Sequence, residues 1–124
     1  MPDEEPQPAD PTPKNSILNS VKNALGVGTD YDPFDAELIM HINSVFSTLH
    51  QLGVGPATPF SISDKDDVWD TFIGSNSAIE SVKTYVYAKV KLIFDPPPNS
   101  FGIAAFEKIC QEYEWRLNVQ GETP

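Results

Sequence analysis

One cysteine, two histidines and eight cationic side chains are all that this 124-residue chain has of the groups that build disulfides, thiolate or imidazole metal sites and nucleic-acid grips. Cys110 has no second thiol for an internal disulfide, a CxxC redox pair or a zinc site, and reads as a small buried apolar residue. His41 and His50 fall on one expected helix, and their separation turns them about half a circle apart, so they do not share a metal. The eight Lys and Arg face 18 Asp and Glu, a formal charge of −10. Nucleic-acid affinity comes mainly from cations displacing phosphate counterions, so nonspecific DNA binding is disfavoured. No apolar run approaches the ~20 residues a membrane helix needs, and no charged-then-apolar segment opens the chain. The expectation is a soluble protein assembled in a cytoplasm.

Catalytic motifs are equally scarce. No GxSxG or HExxH occurs, and the GVG runs at 26–28 and 53–55 follow helical segments and never extend to GxGxxG or GK[ST]. The acidic run "DKDDVWD", 64–70, puts Trp69 where a calcium loop needs glycine and Ser75 where it needs glutamate, so it reads as a solvated helix start. No catalytic residue, cofactor or metal is assigned, and a binding or structural role is favoured over an enzyme.

What the chain does contain is helical periodicity. After "MPDEEPQPADPTPK", 1–14, whose prolines and acids mark a flexible acidic tail, Ile17, Leu18, Val21 and Leu25 make one apolar stripe on a short helix ended by Gly26 and Gly28. Asp32 as cap and Pro33 at the first position start a helix over 33–52, with Phe34, Leu38, Ile42, Val45, Leu49 and Leu52 on its inner face and Gly53 as terminator. An irregular connection, 53–63, anchors through Phe60 and Ile62. Ser63, with Asp66 as box partner, caps a brief helix carrying Trp69, Phe72 and Ile73 and ended by Gly74. Ser77 and Glu80 form a second capping box for a helix over 78–94. There Ile79, Val82, Val86, Val90, Ile93 and Phe94 form one face, while Tyr85, Leu92 and Tyr87 widen it past half the circumference. A central position in a bundle and a flank that meets another subunit both account for that width. The last helix is expected to start after Ser100 and run to about Val119, burying Ile103, Phe106, Ile109, Cys110, Tyr113 and Leu117 and pointing Trp115 elsewhere, toward a partner or a neighbouring helix. The fold class is therefore all-α: four to five helices over 15–120, with a tail at 1–14 and a short one at 121–124.

Between the last two helices, "FDPPPNSF" sets Asp95, Pro96, Pro97, Pro98 and Ser100 as a stiff corner, with Ser100 capping the final helix. The candidate subunit or partner interface comprises Lys83, Tyr85, Tyr87, Lys89, Lys91, Trp115 and Arg116. Three of the eight cations share one helix of an acidic protein, placed to meet a neighbour's acids, such as 64–70, or to cover their own bundle with their stems.

Three segments in order, "FDAELIMHINSVFSTLHQLGVGP", "VKTYVYAKVKLIFDPPPNSF" and "EYEWRLNV", resemble the head–tail connector family of long-tailed bacteriophages, also called adaptor or head-completion proteins. The resemblance spans about 16–120. It implies a non-enzymatic virion protein of the neck, assembled in the bacterial host's cytoplasm as a ring of twelve copies. That ring would contact the portal on one side and a neck or tail protein on the other, with DNA passing without specific binding and no membrane involved. An acidic channel lining suits that role, since like charge gives phosphate no foothold. The alternatives are a cytoplasmic helical adaptor or regulatory protein binding one partner, and a weak DNA-binding module using Lys83, Lys89 and Lys91.

Overall fold

The computed structural model describes residues 12–74 and 78–122, and within them the chain forms five helices: α1 (Ile17–Leu25), α2 (Asp35–Gln51), α3 (Trp69–Ile73), α4 (Ile79–Phe94) and α5 (Ser100–Glu122). The fold is all-α, and among the described residues one isolated β-bridge joins Ser16 to Val68. Of the expected acidic tail only its last three residues are described, and Ser77 of the second capping box also lies outside the described residues.

α4 is the central helix. It packs against α1, α2 and α5, while α1 also touches α2. Val82, Val86 and Val90 bury one side of α4 and Tyr85 and Ala88 another, so its wide apolar surface is filled largely from within the subunit. The aromatic rings of Phe46, Phe60, Trp69 and Phe72 meet edge-on or tilted in one cluster, which pins α3 and the 53–68 connection to α2. Ile62 is buried and Phe60 half-buried, the loop anchor the sequence suggests. Asn43 on α2 holds that anchor with two hydrogen bonds to the Ile62 backbone, accepting from its N–H at 2.7 Å and donating to its carbonyl at 3.0 Å.

Helix ends follow the sequence at two glycines. Gly26 and Gly53 adopt positive φ, and the next residue's N–H reaches back across each end, Val27 to the Lys22 carbonyl at 2.8 Å and Val54 to that of Leu49 at 2.9 Å. Both are Schellman closures. Helix starts differ more. α1 is capped by Ser16, whose Oγ accepts from the Asn19 N–H. α2 begins two residues later than expected, after Phe34, and Asp32 makes no side-chain cap; its carbonyl accepts the Asp35 N–H in a turn. Ser63 does not cap α3. The Asp67 carboxylate folds back onto the N–H groups of Ser63 and Asp64, so the acidic run is a self-capped turn and the helix waits until Trp69. Ser100 is already helical: Asn99 is the cap of α5, its side-chain oxygen accepting from Gly102 N–H at 2.8 Å. α5 then continues to Glu122, past the expected end near Val119. Ile93, placed on the inner face by spacing, is half exposed, while its neighbours Leu92 and Phe94 pack against the core.

One buried pair was not anticipated. Lys22 on α1 is fully buried, its ammonium donating to Asp35 Oδ1 at 2.7 Å and to the Thr29 carbonyl at 3.2 Å. It ties α1 to the start of α2 and closes the loop between them. At its N-terminal end α1 is fastened by Ile17 N–H to the Asp67 carbonyl, Trp69 N–H to that of Asn15, and Trp69 Nε1–H to Ser20 Oγ.

Candidate functional site: the α4–α5 hairpin and its outer face

α4 and α5 form a helical hairpin whose bend is the proline segment. Asp95 leaves helical geometry with ψ near 67°, as a residue before proline must. Pro97 then lies against Gly102 in the first turn of α5, where a Cβ would sit 2.6 Å from the proline's own Cβ. Glycine costs a helix interior about 1 kcal/mol relative to alanine, and here it admits the proline ring. The corner is thus built by Asp95, Pro96, Pro97 and Pro98 with Asn99 as cap and Gly102 as seat, rather than by Ser100.

Inside the hairpin, Tyr85 is fully buried and donates its hydroxyl to Glu114 Oε2 at 2.7 Å. Burial first, and then the hydrogen bond and the negative charge of Glu114, hold that phenol well above the usual tyrosine range. Lys89 reaches the same Glu114 oxygen at 3.4 Å and lies over the Tyr85 ring. Beside them a groove of about 340 Å³ opens between the helices, lined by Lys89, Leu92, Glu107, Cys110, Gln111 and Glu114. Burial pushes the Cys110 thiol up, with Lys89 pulling the other way, so it is a poor nucleophile. Among the described residues no group of three or more His, Cys, Asp and Glu is placed to hold a metal.

The interface candidates therefore separate. Tyr85 belongs to the core and is not available at the surface. Tyr87 is half-buried and meets Phe106 edge-on at 5.9 Å. Each lysine already faces an acid of its own subunit: Lys83 is 3.7 Å from Glu80 and over the Trp69 ring, Lys89 is on Glu114, and Lys91 is 3.0 Å from Asp95. Arg116 is 3.6 Å from Glu112 and stacked over Tyr113. Trp115 stands 68% exposed. It is joined on the outer side of α5 by Phe101, 88% exposed, and Lys108; the seven-residue spacing of 101, 108 and 115 puts all three on one face. Phe101 escaped the sequence reading because it precedes the periodic run, although the same spacing from Trp115 reveals it.

The family model for phage connector proteins matches residues 17–124, nearly the whole chain. The chain belongs to the phage connector family. Neither a curated protein nor a solved structure matches it. Membership makes this connector a phage structural protein of the head–tail junction that works through contacts with other head and tail proteins. Among its described residues no helix is long and apolar enough to cross a membrane.

Proposed function

We propose that this connector assembles as a twelve-membered ring between the portal and the neck or tail, extending the DNA exit channel, and that it is not an enzyme. The family match across 17–124 carries the reading. The outer face of α5 supports it: Phe101, Trp115 and Val119 place large apolar side chains on solvent in one helix, the kind of surface a neighbouring subunit covers. Neighbour contacts then centre on Trp115 and Phe101, with Arg116 and Tyr87 at the edge. The α4 lysines take a smaller part, because a neighbour's acid must compete with Glu80, Glu114 or Asp95 for each. Electron microscopy of purified particles provides the test. A ring of this chain at the portal exit is expected, and its absence from virions would sink the reading.

A further inference from the structure

A second group of exposed aromatic rings is built from the loop before α2 and the end of α4. Tyr31, in the loop between α1 and α2, is 52% exposed and its ring is 5.6 Å from that of Phe34. Phe34, 38% exposed, meets Phe94 at the end of α4 edge-on at 5.2 Å. The three rings come from two separate parts of the chain and form a continuous patch. Successive turns hold it in place, Tyr31 N–H bonding to the Gly28 carbonyl and Asp35 N–H to that of Asp32.

Carboxylates adjoin these rings along the chain. Asp30 and Asp32 flank Tyr31 and are exposed, Glu37 lies one turn beyond Phe34, and Asp95 follows Phe94. Partners nearby answer only part of this charge: Lys91 pairs with Asp95, His41 Nε2 lies 3.2 Å from Glu37, and Lys22 is buried on Asp35, leaving Asp30 and Asp32 beside Tyr31. The positive end of α2 offsets roughly half a unit. An aromatic surface with negative rim suits a planar cation, which can stack on a ring and donate hydrogen bonds to carboxylates at the same time.

We propose that the Tyr31–Phe34–Phe94 patch docks an arginine-bearing segment of a different protein. A second copy of this chain is a poor occupant. Its one arginine is Arg116, already set against Glu112 and Tyr113, and four of its seven lysines, Lys22, Lys83, Lys89 and Lys91, are paired internally. The occupant is therefore a basic segment of another chain.

The probe is a blocked Gly-Arg-Gly-Arg-Gly peptide titrated into the isotope-labelled full-length protein, with its citrulline counterpart as the uncharged control. The arginine peptide is expected to shift backbone amides at 30–37 and 93–95 in a saturable, salt-sensitive way, and the citrulline peptide to leave them in place. Phe34→Ala is expected to weaken the arginine peptide about tenfold. Asp30→Asn with Asp32→Asn, which touches no core residue, is expected to weaken it severalfold and guards against a folding defect in the first variant. Equal response to citrulline, or shifts as large in the acidic 64–70 turn, would overturn the proposal. So would sedimentation showing a self-associated form that Phe34→Ala dissolves, since the occupant would then be a second copy. Because the isolated protein is used, each of these outcomes leaves the ring reading where particle microscopy puts it.

Discussion

Lys22 and Asp35 share one ion pair but not one environment. The ammonium is wholly buried, whereas the Asp35 side chain keeps 29% of its surface in water. Removing the carboxylate strands a charge in the interior, with only the Thr29 carbonyl left to it, and Asp35→Ala is expected to cost about 3 kcal/mol. Lys22→Met keeps the apolar stem and lets Asp35 hydrate, so it is expected to cost less than about 1 kcal/mol. Urea unfolding of the two variants checks the order, and the reverse order would mean that the lysine's burial is not what makes the pair matter. Tyr85 gives a pH signature. Its raised phenol means the folded state holds that proton more tightly than the unfolded chain. The associated stability is complete below the ordinary tyrosine range, near pH 10, and is lost as pH climbs above it. Ultraviolet titration is expected to show one of the four tyrosines ionising only as the chain unfolds. Tyr85→Phe removes that late step at a cost of about 1 kcal/mol.

At the scale of elements the decisive joint is the bend between α4 and α5. Pro97 seated on Gly102 fixes where α5 leaves the corner, so helix content and helix angle are separable there. Replacing Pro96, Pro97 and Pro98 with Gly-Ser-Gly is expected to leave circular dichroism nearly unchanged while speeding amide exchange on the facing sides of α4 and α5 and lowering particle assembly. Gly102→Ala points the same way: it improves helix propensity by about 1 kcal/mol yet forces the proline off its seat. Unchanged exchange in both variants would remove the corner's role. The joint also shows what sequence could and could not tell. Its stiffness is plain from three prolines, but the Pro97–Gly102 contact is not, because it depends on the path the chain takes between them. Capping rules misplace Ser63 and Ser100 for the same reason: they score residue type, while the outcome is decided by which side chain folds back, here Asp67 and Asn99. The five helices were legible because their apolar spacing is local, as are the glycines that end α1, α2 and α3 and the prolines that end α4. Lys22 was legible in principle, standing four residues after Leu18 on the apolar stripe of α1. Of the interface, Trp115 was readable as an outlier from the inner face, whereas Tyr85 was not separable from a surface residue, since periodicity gives a direction and not the identity of the neighbour met there.

For the whole molecule, charge decides how it treats DNA. Net charge is −10, and five of its eight cations are committed inside the subunit, Lys22 to Asp35, Lys83 to Glu80, Lys89 to Glu114, Lys91 to Asp95 and Arg116 to Glu112. A phosphate approaching α4 must displace a carboxylate from each lysine before any counterion release can favour binding. Repetition of the subunit around a channel would multiply that repulsion, and packaged DNA would slide past without adhering. The connector is therefore expected not to retard duplex DNA even at low salt, about 50 mM, where electrostatic binding is strongest. Reversing Glu80, Asp95 and Glu114 to lysine tests the cause. Each reversal adds two units of charge and frees one α4 lysine, so the triple variant, at −4, is expected to gain DNA binding that disappears as salt rises. Salt-dependent retardation by the unaltered protein would show instead that Lys83, Lys89 and Lys91 grip phosphate despite their acids, and a lining that lets DNA slide would have to be sought on another face.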